Sequence, residues 1–339
     1  MLQNNILKSS FRILVILIFT LSCSNSEGIT NENTEFSIVE KHGQLSISGT
    51  NLVDSSGEII VLRGMSLFWS QWGDDYYNEE TIKWLRDDWK CTVIRVAMGV
   101  EGGGYLENSS VEFQKASSVI DACIKFGIYV IIDWHDHHAE SHTNEAISFF
   151  HNISLKYGNQ PNIIYELYNE PLAVSWKEII KPYAESVINT IRKNGSKNVI
   201  IIGTPNWSQD VEDVINNRIN DNNLAYVFHF YSSTHTADLR NKAFSSINAG
   251  IPLFVSEWGL SEASGNGNIN LAESKIWMNF LEQYNLSWCN WSVMNKDESS
   301  AALLPTTTNL SGWNESQLSQ SGKMIREYLI KENSSLFNQ

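Results

Sequence analysis

Eight short runs of Val, Ile and aromatic residues recur along this chain, and they fix what it can fold into. They lie at residues 59–66, CTVIRVAM (91–98), IYVIIDWH (128–135), NIIYELYNE (162–170), NVIIIGT (198–204), LAYVFHF (224–230), PLFVSEW (252–258) and LSWCNWS (286–292). The runs are continuous rather than alternating, which means strands buried on both faces, as in a parallel sheet. Amphipathic stretches such as VEFQKASSVIDACIKFG separate them and read as helices. Eight β-α units predict an α/β fold, a closed (β/α)8 TIM barrel built as a single domain. Ahead of the first strand, GQLSISGTNLVDSSGEIIVLRG alternates polar and apolar residues around turn signals, so residues 43–60 predict a short β-hairpin cap. A closing helix is expected from Ser321 to about Tyr328.

In such a barrel the C-terminal ends of the strands carry the chemistry. The polar residues of this chain fall there: Arg95 at the end of strand two, His135 of strand three, Asn169 and Glu170 of strand four, His229 and Tyr231 of strand six, Glu257 of strand seven, Trp291 of strand eight. Glu170 and Glu257 are 87 residues apart, three units of 29, close to the roughly 31 per unit of a barrel of about 250 residues. Two rim carboxyls suit glycosidic bond cleavage, where one protonates the leaving oxygen and the other attacks the anomeric carbon. A strand-end glutamate is more often an ion-pair partner, and Glu166 shares the strand parity of Glu170, so spacing alone does not choose between them.

The segments LRGMS, VIRVAM, IIDWH, NIIYELYNEP, VFHFYSSTH, FVSEWG and NWSVMNKDESSAAL follow in order between residues 62 and 304. In them the chain resembles the glycoside hydrolase family 5 cellulases, retaining endo-β-1,4-glucanases. The resemblance implies Glu170 as general acid/base and Glu257 as nucleophile, with Arg95 and Tyr231 holding charge on Glu257. It implies Asn169 on the sugar 2-hydroxyl, and His135 and His229 positioning the substrate and Glu170. Trp291 would be the floor at the cleavage site, Trp72 and Trp207 would stack on flanking sugars, and Lys296 and Glu298 would bind sugar hydroxyls. The segment GMSLFWSQW departs from the pattern, with Phe68 where relatives often carry histidine. A β-mannanase, a mixed-linkage glucanase and a non-catalytic surface glycan-binding protein are the alternatives.

Composition narrows the partners. A net charge of −14 argues against nucleic acid and anionic lipid headgroups, which demand concentrated Lys and Arg. Twelve Trp, twelve Tyr and fourteen Phe suit stacking on the sugar faces of a neutral polymer, which the resemblance implies is a β-glucan polysaccharide. No cofactor is implied. The cluster DWHDHHAESH suggests metal binding superficially, but its spacing lacks a known ligand frame and no metal is expected. Cys91, Cys123 and Cys289 read as buried small hydrophobes.

Residues 1–22 read as a signal peptide: Lys8 and Arg12 precede the apolar run Ile13 to Leu21, too short to span a bilayer. Leu21-Ser22-Cys23 resembles a bacterial lipoprotein cleavage site with Cys23 as the lipidated residue. Residues 23–35 would be a flexible tether and 36–332 the catalytic barrel. An exported monomer, touching membrane only through that anchor, is expected.

Overall fold

The computed structural model describes residues 37–337. The proposed signal peptide, Cys23 and the tether lie outside the described residues. Strands β1 (Ser46–Ser48) and β2 (Asn51–Val53) form the expected antiparallel hairpin. A short helix, Ile38–His42, precedes it, capped by the Ser37 hydroxyl on the Glu40 N–H at 3.0 Å. Ile47 N–H donates to Asn223 Oδ1 at 2.8 Å, and the Tyr129 hydroxyl donates to the Gly43 carbonyl at 2.8 Å. Both partners sit where barrel strands begin, so the hairpin covers the end opposite the strand C-termini.

The eight apolar runs give β3 (Arg63–Leu67), β4 (Val93–Gly99), β5 (Tyr129–His135), β6 (Ile163–Glu166), β7 (Ile200–Ile202), β8 (Leu224–Tyr231), β9 (Leu253–Gly259) and β10 (Trp288–Val293). They pair in parallel in sequence order, and β10 returns to β3 to close the barrel. Every residue of these strands is buried, as continuous β-branched runs require. Helices cover the outside. Glu79–Asp87, for example, is capped by the Asn78 side chain on the Thr81 N–H at 2.9 Å and buries Ile82 and Leu85 against the sheet. Full burial of such a side chain contributes about 1.5–3 kcal/mol.

Several bounds differ from the sequence expectation. The first barrel strand starts at Arg63, because residues 59–62 run from a bridge with Val53 toward the barrel. β6 stops at Glu166, four residues before Glu170, and Arg95 is the third residue of seven in β4 rather than its end. The β7 to β8 connection has no long helix, only a turn at Pro205–Ser208 and a 3-10 turn at Val211–Val214. The closing helix runs Gln320–Phe337. Its continuation past Tyr328 follows from Asn333, which is buried and bonds the Arg63 carbonyl at 3.2 Å, the Lys90 carbonyl at 2.8 Å and Arg63 Nη1 at 3.3 Å.

One irregularity positions the site. Val227 pairs with Phe254, but two residues further along β8, His229 pairs with Glu257, three further along β9. On the other edge Trp288 pairs with Val255 and Asn290 with Trp258. β9 therefore carries one extra residue, a bulge. Strand periodicity would send Ser256 and Glu257 to opposite faces. The bulge turns both inward, where Ser256 bonds Glu166 at 2.6 Å and Glu257 bonds Arg95 at 2.9 Å.

Candidate active site

Arg95 is the hub of the barrel interior. Its fully buried guanidinium reaches Asp133 Oδ2 at 2.9 Å, Glu166 Oε2 at 2.7 Å and Glu257 Oε2 at 2.9 Å, and donates to Asn169 Oδ1 at 2.6 Å. Glu166 is thus an ion-pair partner beneath the rim. One cation facing three buried carboxyls does not neutralise them all. Burial, opposed by Arg95, pushes Asp133 and Glu166 each up to about 8.

Glu257 sits above this hub. Its second oxygen accepts from the Tyr231 hydroxyl at 2.7 Å, so a cation and a hydroxyl donor converge on one carboxylate. Glu170 lies across from it. The segment from Leu167 to Glu170 continues beyond β6 through Asn169 N–H on the Trp134 carbonyl and Glu170 N–H on the Asp136 carbonyl, both at 3.3 Å. Glu170 Oε1 pairs with His229 Nδ1 at 3.0 Å, while His229 Nε2 pairs with the Ser256 hydroxyl at 2.9 Å. Burial, reinforced by the negative charge of Glu257 and opposed by Arg95, pushes the Glu170 carboxyl well above the usual carboxylate range. Burial and the charge of Arg95 hold His229 and His135 well below the ordinary imidazole value, so both rings are neutral. A carboxylate oxygen of Glu170, one of Glu257 and a ring nitrogen of His229 all fall within 4.8 Å of one another.

The raised Glu170 carboxyl has a cost with a definite sign. Protonated in both states at low pH, it destabilises the fold once pH passes its unfolded value, about 4.3, and fully above its folded value. Glu170→Gln is therefore expected to raise the melting temperature at pH 9 by a few degrees and to leave it unchanged at pH 4. Equal effects at both pH values in a thermal melt series would contradict this.

The cleft has two lobes that share Glu170, Tyr231, Glu257 and Ala263. One, of about 400 Å³, runs past Trp207, Gln209, His229 and His235. The other, of about 240 Å³, runs past Trp69, Trp72, His135, Asn169, Trp291, Lys296 and Glu298. Trp291 stacks flat on His135, centroids 5.3 Å apart and planes at 3°. His135 Nδ1 is held by Asp133 Oδ2 at 2.5 Å. Trp72 and Trp207 are 59% and 47% exposed, unusual for indoles, and each lines a different lobe. Lys296 pairs with Glu298 at 2.5 Å and lies 5.2 Å above the Phe68 ring, which packs on Trp291. Phe68 thus offers an apolar face where a histidine would offer a hydrogen bond. Asn169 Nδ2 is a buried donor without a partner among the described residues.

Arg95, His135, Asn169, Glu170, His229, Tyr231, Glu257, Trp291, Trp72, Trp207, Lys296 and Glu298 line this cleft or the layer beneath it. Sequence reasoning missed Asp133, Ser256 and Trp69. Asp133 was findable, two residues before His135 on the same face of β5. Trp69 packs on Trp72 at 5.0 Å, and its edge meets His135 at 3.9 Å. Of the DWHDHHAESH histidines, His142 pairs with Asp136 at 2.8 Å and His138 with Glu101 at 3.3 Å. Glu101, Asp136 and His142 bring ligand atoms within 4.8 Å of one another. Cys91, Cys123 and Cys289 are free and buried.

A closed barrel whose strand C-termini aim two carboxyls into one aromatic-walled cleft defines a class of sugar-processing scaffold. Residues 53–297 match the cellulase family, glycosyl hydrolase family 5. Endoglucanase A of Evansella cellulosilytica is 45% identical over 327 residues, covering 95% of this chain and 66% of that protein. Endoglucanase Z of Dickeya dadantii is 44% identical over 289 residues, covering 84% of this chain and 66% of that protein. The chain therefore spans slightly less than two thirds of the length of these relatives. A solved structure from Cytophaga hutchinsonii superposes with a TM-score of 0.88 at 49% identity, covering 89% of this chain and 99% of that one. The catalytic domain of the Thermobifida fusca endoglucanase Cel5A, solved with cellotetraose, superposes with a TM-score of 0.84 at 30% identity, covering 87% and 99%. The chain belongs to glycosyl hydrolase family 5.

Proposed function

We propose that this protein is a retaining endo-β-1,4-glucanase, with Glu257 as nucleophile and Glu170 as acid/base. The observation that carries the reading is the closeness of the two carboxyls: an oxygen of one lies within 4.8 Å of an oxygen of the other, in keeping with the roughly 5–5.5 Å spacing of retaining pairs. Glu170, held protonated, gives its proton to the leaving oxygen as Glu257 attacks the anomeric carbon. The resulting glycosyl-enzyme is then hydrolysed, with Glu170 taking a proton from water. The spare Asn169 Nδ2 donor suits the sugar 2-hydroxyl, a contact that strengthens in the transition state. Neutral His135 and His229 fix substrate and Glu170, Trp291 underlies the sugar at the cleavage point, and Lys296 and Glu298 meet sugar hydroxyls.

The substrate we infer is a β-glucan, in keeping with the cellotetraose bound by the Thermobifida relative. Reducing-sugar release from carboxymethyl cellulose, mixed-linkage β-glucan, xylan and mannan tests this. Highest rates on the β-1,4-glucan support it, and highest rates on mannan or mixed-linkage glucan overturn the substrate choice. No release from any polymer would favour a glycan-binding role.

Trp72, exposed beside Trp69 with its Nε1 bonded to the Gly102 carbonyl at 3.2 Å, is a preset platform for a sugar beyond the cleavage point. Trp72→Ala is expected to lower kcat/KM on long glucans about 10- to 100-fold, a range taken from base-on-aromatic stacking. Short aryl glycosides should lose far less, and equal losses on both would mean the indole is only packing.

Among the described residues, no helix is long and apolar enough to cross a membrane. We propose export and anchorage through a lipid on Cys23, residues 36–332 forming the catalytic barrel of a monomer. Cys23→Ala should move the protein from the membrane fraction to the soluble fraction of the native host, and unchanged fractionation would refute the anchor.

A further inference from the structure

Three consecutive residues with side chains, Asn206, Trp207 and Ser208, hold left-handed backbone, at φ of +54°, +56° and +57°. Asparagine tolerates this conformation, whereas tryptophan and serine do so at a steric cost. Such strain persists only where the surroundings over-determine it, and it concentrates at functional sites.

Here the surroundings are the chain on either side of Glu170. Asn206 N–H donates to the Leu172 carbonyl at 3.1 Å and Trp207 N–H to the Pro171 carbonyl at 2.8 Å. The Ser208 hydroxyl, fully buried, donates to the Asn169 carbonyl at 2.8 Å. Just before the turn, Gly203 lies so close to this segment that a Cβ would come within 2.3 Å of the Tyr168 carbonyl and 3.1 Å of that of Asn169. The carbonyls of residues 169, 171 and 172 are thus all bound by one strained turn, which also carries the exposed Trp207. β6 has ended three residues before Asn169, so its sheet partners no longer hold this stretch as a regular ladder.

We infer that the 206–208 turn is a clamp on the acid/base segment, with Ser208 a positioning residue for Glu170. Left-handed backbone is what aims two successive N–H groups and the serine hydroxyl at the same neighbouring segment. A right-handed turn would point them elsewhere. The inference rests on the reading of Glu170 as acid/base.

The test uses Ser208→Ala and Ser208→Gly. Both delete the hydroxyl, and glycine also relieves the φ strain, which offsets part of the cost of losing the bonds to the Asn169 carbonyl and the Thr204 N–H. Dinitrophenyl β-cellobioside carries a leaving group that needs no proton, and cello-oligosaccharides carry one that does. Both variants should lose about 10- to 100-fold in kcat on cello-oligosaccharides, the order of effect of a displacement near 1 Å. With the dinitrophenyl substrate the burst of released phenol should be preserved. Azide, a nucleophile that needs no general base, should accelerate turnover and yield the β-cellobiosyl azide. Glu170→Ala is the control and should show the same pattern more strongly. Failure of the control would overturn the Glu170 reading itself. A sound control with Ser208 variants that are fully active, or equally slowed on both substrates without azide rescue, would overturn the clamp.

Discussion

Glu257→Ala is expected to lower turnover on β-glucans by on the order of 10⁴-fold or more, since removing a nucleophile eliminates the double-displacement route rather than weakening it. The deletion leaves a space facing the anomeric carbon, with Arg95 and Tyr231 still directed into it. A small anion can occupy that space. Azide should therefore restore part of the activity toward an activated aryl β-cellobioside, forming its bond to the anomeric carbon as the phenolate departs from the opposite face. One displacement replaces two, so the product must be the α-cellobiosyl azide, identifiable by the proton coupling at the anomeric centre. A β-azide, or near-parental rates without azide, would remove Glu257 from the role.

Arg95→Met is the second large effect, and it strikes stability and rate together. The guanidinium is the shared partner of Asp133, Glu166 and Glu257 and a donor to Asn169. Removing one member of a buried ionic set costs about 3–5 kcal/mol, because the remaining charges lose compensation without regaining water. Arg95 lowers the carboxyls of Asp133 and Glu166, which even so reach about 8. Without it they rise further, so the deficit is level below about 8, where both carboxyls stay protonated in parent and variant alike, and grows as pH rises above that value. Urea unfolding at pH 6 and pH 10 should reveal that slope. In parallel, kcat/KM should fall by at least about 10³-fold. Arg95→Lys restores a point charge but not the planar fork, so it should fall between parent and methionine variant. A methionine variant with parental stability at both pH values and less than tenfold loss of rate would show the hub to be dispensable.

The barrel was legible because continuous β-branched runs have few other homes, and all eight became strands. What the runs could not mark was where pairing stops. Asn169 and Glu170 belong to an apolar-rich stretch that looks like strand throughout, yet they lie beyond β6, held by the carbonyls of Trp134 in β5 and of Asp136 just after it. Arg95 was recognisable as a charge in an apolar strand, but its depth below the rim depends on register, which one strand does not encode. Ser256 was hidden for a related reason: period-two reasoning places it on the face opposite Glu257, and only pairing to both neighbours exposes the extra residue. The left-handed turn had no signal at all, since Asn-Trp-Ser after a proline is equally at home in ordinary turns.

That extra residue in β9 makes regularity and chemistry mutually exclusive in this strand. A sheet normally gains by evening out its ladder, and deleting one residue between Phe254 and Glu257 would do so here. Alternation would then resume, and of two neighbours only one could face the axis: either the serine that bridges His229 to Glu166, or the glutamate that faces Glu170. The irregular count is thus an address that no substitution can rewrite. Side chains around it can drift over evolutionary time, but the number of residues between the start of β9 and Glu257 cannot.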